Sequence, residues 1–78
     1  MLLEIMTPEK TLYKGEVSLV QLPGIDGSFE ILEHHAPLIS VLAKGKIKVN
    51  DSKKETIYFE IKGGVIEVLK NKVLVLAE

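Results

Sequence analysis

Thr56-Ile57-Tyr58-Phe59-Glu60-Ile61-Lys62 sets Ile57, Phe59 and Ile61 in alternation with Tyr58, Glu60 and Lys62, the period-2 pattern of a strand with one buried and one wet face. Ile47 and Val49, held between Lys46, Lys48 and Asn50, repeat it. Val17-Ser18-Leu19-Val20-Gln21-Leu22 and Val73-Leu74-Val75-Leu76 are instead apolar on both faces. They predict central strands, or strands whose outer face meets a partner. Pro23-Gly24, Asp26-Gly27, Lys44-Gly45, Asn50-Asp51-Ser52 and Gly63-Gly64 interrupt the apolar runs at short intervals, where an all-β chain can reverse. The one segment with room for a helix, Ser28 to Lys44, has Pro37 in its middle. Proline lacks the amide proton and biases Ala36 away from helical geometry, so the segment reads as two strands with a corner at His34 to Pro37. The expected fold is all-β, a flattened barrel or sandwich of two packed, mostly antiparallel sheets, in one domain spanning residues 1–78.

A chain of 78 residues hides only about 60% of the surface its unfolded form exposes. Its core is therefore thin, yet 46% of the residues are hydrophobic, which predicts that part of the apolar surface meets partners. The chain has no cysteine, ruling out disulfides and thiolate chemistry. Its ten basic residues are all lysine against eleven acids, a net charge of −1. Nucleic-acid recognition draws on arginine forks and a basic face, so no nucleic-acid partner is expected. Met1-Leu2-Leu3-Glu4-Ile5-Met6 lacks the basic start of a signal peptide. No run approaches the ~18 apolar residues of a membrane span, so no direct membrane insertion is expected and work at a membrane would run through partners.

The residues that could carry chemistry are few. His34 and His35 are adjacent, so on an extended strand they point to opposite faces, and no third ligand lies at a zinc-like spacing. They read as corner residues, one bonding backbone near Pro37 and one solvated, with no metal. Ser18, Ser28, Ser40 and Ser52 are scattered and lack a nucleophile elbow. Glu30 and Glu33 flank an apolar pair and read as solvated acids. Gly24-Ile25-Asp26-Gly27 lacks the lysine and following helix of a phosphate cradle. No catalytic residue and no cofactor are expected. Lys44, Lys46 and Lys48 read as a solvated face that also protects a sheet edge. A lipoyl or biotinyl carrier is the alternative for a small lysine-bearing β domain, as is a free-standing β-sandwich interaction protein. The carrier lysine, however, commonly follows Asp or Met, and the nearest approach here is Asp51-Ser52-Lys53.

Two blocks in fixed order, Gly27-Ser28-Phe29-Glu30-Ile31-Leu32-Glu33-His34-His35-Ala36-Pro37-Leu38-Ile39 and Gly63-Gly64-Val65-Ile66-Glu67-Val68 followed by Asn71-Lys72-Val73-Leu74-Val75-Leu76-Ala77-Glu78, give a pattern that resembles the amino-terminal β domain of the epsilon subunit of F-type ATP synthase. The resemblance implies a non-catalytic central-stalk subunit of a proton-translocating synthase, docked on the gamma subunit and the c ring to couple rotation to ATP synthesis. It implies a peripheral position on the cytoplasmic face of a bacterial-type inner membrane. It also implies that Gly24, Ile25, Asp26, Gly27 and Ser28, with the nearby Glu30, Glu33, His34 and His35, sit toward the c ring, while an apolar sheet face lies against gamma. The chain departs from the family at Glu30, where glycine is frequent, and at Glu33-His34, where proline and a small or polar residue are frequent. Family members usually continue into a two-helix hairpin after the Leu-Ala-acidic ending, whereas this sequence stops at Glu78.

Overall fold

The computed structural model describes residues Met1 to Glu78 and contains eight strands and no helix. In chain order they are β1 (Leu2–Met6), β2 (Thr11–Gly24), β3 (Gly27–Leu32), β4 (Leu38–Leu42), β5 (Gly45–Asp51), β6 (Thr56–Ile61), β7 (Gly64–Leu69) and β8 (Lys72–Ala77). They bond as one sheet in the order β1-β8-β7-β4-β2-β5-β6, with β3 added to β2. β1 also pairs with β2, so β1, β8, β7, β4 and β2 close a ring. Only the β1–β8 pairing is parallel. The result is a flattened all-β body of 27 × 24 × 19 Å, the expected fold class.

The 14-residue β2 makes two layers out of one sheet. Its first half pairs with β1 and its second half with β5 and β3. The inward phase of the strand changes on the way: Val17 is buried, then Val20 and Leu22, so odd positions give way to even ones. An extra residue is needed to absorb that slip. Ser18 is it, unpaired in the ladder between Val17↔Asp51 and Leu19↔Asn50, its hydroxyl donating to Asn50 O at 3.3 Å. A bulge of this kind bends the strand and raises its twist, which lets β2 serve both layers.

Between the layers lie sixteen buried apolar side chains and no buried polar one. Ile47, Val49, Val73 and Val75 are fully enclosed, each contributing about 1.5–3 kcal/mol by removal from water. Both runs with apolar residues on two faces are internal, β8 between β1 and β7 and the second half of β2 between β3 and β5. The lysines of β5 do not guard an edge, as their alternation had suggested. β5 is paired on both sides, and the outer strands are β6 and β3, whose pairing a single strand's pattern cannot reveal.

Candidate functional site

The residues singled out in the sequence fall at the two ends of β3. Gly24 pairs with Gly27, leaving Ile25 and Asp26 as the hairpin tip. This tip is exposed and tied to β4 by the Ile25 N–H bond to Val41 O at 3.3 Å. Glu33, His34 and His35 lie at the other end, six strand residues away, or roughly 20 Å at 3.3 Å per residue. Ser28 and Glu30 point outward between them. The stretch that reads as one neighbourhood in sequence is thus two, because an extended strand carries its ends apart.

The Glu33–Pro37 corner is committed to internal bonds. Glu33 Oε1 contacts the Met1 amine and its Oε2 accepts the Asn71 side-chain N–H at 3.0 Å. Asn71 Oδ1 in turn accepts the His34 backbone N–H at 2.8 Å. Lys70 and Asn71 both have positive φ, the geometry of the two-residue turn that joins strands of right-handed twist. The Met1 amine also donates to Val17 O at 3.1 Å and pairs with Glu16 at 3.3 Å. Burial alone would lower the pKa of that amine, but the bonds and charges of Glu33 and Glu16 outweigh burial and raise it above 8.0. Glu33 is held below its ordinary 4.5, first by the bond from the amine and then by that from Asn71. His35 Nδ1 lies 2.7 Å from Ala36 O, which requires the proton on that nitrogen, and the His34 side chain is exposed. No three potential ligands cluster for a metal.

A depressed carboxyl pKa stabilises the fold above the unfolded value of 4.5, and that contribution disappears as pH falls through the lower folded value. Glu33→Gln is therefore expected to lower the melting temperature at neutral pH and to flatten its dependence on pH below 4.5. Thermal melts of both proteins across that window test this; parallel curves would show that Glu33 contributes nothing through its charge.

The two outer faces differ sharply in chemistry. Across β6, β5, β2 and β3 one row reads Tyr58, Lys48, Gln21, Glu30, polar throughout. Across β4, β7, β8 and β1 a row reads Val41, Val65, Leu76, Met6, apolar throughout. Ile39 and Leu69 extend this second face, and Ile39 is 73% exposed. The charged members of this face are Glu67, Glu4 and Lys72 in the neighbouring rows, and exposed aliphatic area of this kind is what protein docking surfaces use. Sequence reading named the runs that form β8 but missed Ile39 and Val41 as surface residues. Alternation gives the opposite signal there: Ser40 is the polar member of the stretch, yet it is Ser40 that turns inward opposite the buried Ile66 while Ile39 and Val41 face water.

The whole chain, residues 1–78, matches the family described as ATP synthase, Delta/Epsilon chain, beta-sandwich domain. An ATP synthase epsilon chain from Chlorobium limicola is 45% identical over 76 residues, covering 97% of this chain and 86% of the relative. In several other relatives of that name the chain spans little more than half the length. A chain in the cryo-EM structure of the Euglena gracilis mitochondrial ATP synthase, OSCP/F1/c-ring in rotational state 1, has the same fold, with a TM-score of 0.92 at 20% identity over 99% of this chain and 49% of that one. One in the Tetrahymena thermophila mitochondrial ATP synthase, central stalk/c-ring, gives 0.80 at 21% identity, over 99% and 62%. The chain belongs to the ATP synthase delta/epsilon family, as the β-sandwich domain of an epsilon-type subunit whose part in the synthase is non-catalytic.

Proposed function

We propose that this domain docks on the gamma subunit through the outer face of β4, β7, β8 and β1 and meets the c ring with the Gly24–Ser28 tip, coupling rotation to ATP synthesis in a proton-translocating enzyme. It would do so on the cytoplasmic face of a bacterial inner membrane. The aliphatic face carries the reading, because it gathers Ile39, Val41, Val65, Leu69 and Leu76, most of the large exposed aliphatic side chains of the domain, and aliphatic area of that kind is what a stable protein interface is made from. The assemblies named for the two structural neighbours, one with a c ring and one with central stalk and c ring, agree with it. The tip is preferred over the Glu33–His35 corner for the c ring because its Ile25 is 59% exposed, while the corner spends Glu33 and the His34 amide on internal bonds.

Reconstitution with gamma and with gamma plus the c ring tests both contacts. Wild type is expected to bind gamma alone, and Ile25→Asp is expected to keep that binding while losing about 10-fold or more in affinity for the c-ring-containing assembly. Loss of gamma binding in Ile25→Asp, or no loss with the c ring, would reverse the assignment of the tip.

A further inference from the structure

The apolar outer face carries one carboxylate near its middle. Glu67 points outward on β7 between Val65 and Leu69, with Ile39 opposite on β4 and Leu74 opposite on β8. The other acid of this face, Glu4, has Lys14 of β2 opposite it. Glu67 has no cation directly opposite; Lys72 lies only diagonally, beside Leu69. The ion pairs of the structure are both made by the Met1 amine, so Lys72 does not close on it. Two shallow depressions flank the residue, one toward Pro37 and Ile39 and one toward Lys70 and Leu74, and Glu67 and Leu69 border both.

Any partner laid over this face strips water from Glu67. A carboxylate buried without a counter-charge costs enough to cancel the gain from covering several aliphatic side chains. The partner surface that fits is therefore apolar with one basic side chain in register, whose stem lies on the neighbouring aliphatics while its head bonds the carboxylate. We infer that Glu67 is the specificity-determining residue of the docking face and that it receives a single lysine or arginine from the gamma subunit. The inference rests on the gamma-docking reading above. Chemistry makes the pairing discriminating: a smooth apolar surface, or one with an acid at that point, is rejected by the unpaired charge.

The test uses gamma and this chain from the same source, with Kd measured for wild type, Glu67→Gln, Glu67→Lys and Leu76→Lys at about 50 and about 500 mM salt. Glu67→Gln is expected to weaken binding about 10-fold and to remove most of its salt dependence, and Glu67→Lys to weaken it about 100-fold or more. Replacing the lysines and arginines of gamma singly by glutamate should yield one variant that restores binding to Glu67→Lys. Binding of Glu67→Gln equal to or tighter than wild type, with Leu76→Lys still defective, would overturn the inference and leave the docking reading standing. Full binding by Leu76→Lys would remove the docking reading and this inference with it. Glu67 is exposed, and thermal melts of each variant separate lost binding from lost fold.

Discussion

Gly64→Ala is expected to destabilise the domain by about 2–4 kcal/mol, lowering its melting temperature by roughly 10 °C or more. Gly64 opens β7 with φ at 156°, a conformation that side-chain-bearing residues rarely adopt. It is also hemmed in by backbone on both sides, paired with Leu42 of β4 and Ala77 of β8. A β-carbon there would lie 2.4 Å from Leu76 O and 3.1 Å from the Ala77 Cα. Neither neighbour is a flexible side-chain end, so the β7–β8 ladder itself must shift, and that ladder places Val73, Val75, Ile66 and Val68 in the core. Gly27 supplies the control. Its φ is 125° but nothing lies within 4 Å of an added β-carbon, so Gly27→Ala carries the conformational cost alone, about 1 kcal/mol. Equal melting temperatures for the two variants would show that the strand relaxes around Gly64.

Leu76→Lys is expected to weaken association with gamma by about 30-fold or more, the loss of a central apolar contact worth about 2 kcal/mol or more. Leu76 lies between Val65 and Met6 in the row that crosses β7, β8 and β1, and it is 51% exposed, so lysine keeps its head in water in the free domain. Once the face is covered, that head has no exit and no acid directly opposite. Tyr58→Lys is the matched change on the polar face, where Tyr58 is similarly exposed; its effect on binding is expected to be within experimental error. Titration of labelled domain with gamma gives both affinities, and a comparable loss for Tyr58→Lys would show that the polar face, or both faces, contact gamma.

The strands of this protein were legible in its sequence because period-2 alternation is a local property. Ile57, Phe59 and Ile61 declare an inward face without reference to any other strand, and Pro37 excludes a helix through its own missing amide. The family pattern was legible for a related reason, since Gly27–Ile39 and Gly63–Glu78 keep their turn residues and apolar positions in a fixed order. What the sequence left open was every property that depends on pairing between distant strands. Leu38-Ile39-Ser40-Val41-Leu42 is apolar on both faces of its alternation, and only the register of β4 against β7 decided that Leu42 enters the core while Ile39 and Val41 face water. Glu33 reads as one more solvated acid until the fold brings the Met1 amine and Asn71, residues 32 and 38 positions away, to its two oxygens. Glu67 reads as the polar member of an ordinary alternation. It becomes a carboxylate flanked by aliphatic side chains only because β4 and β8 set Ile39 and Leu74 on either side of it.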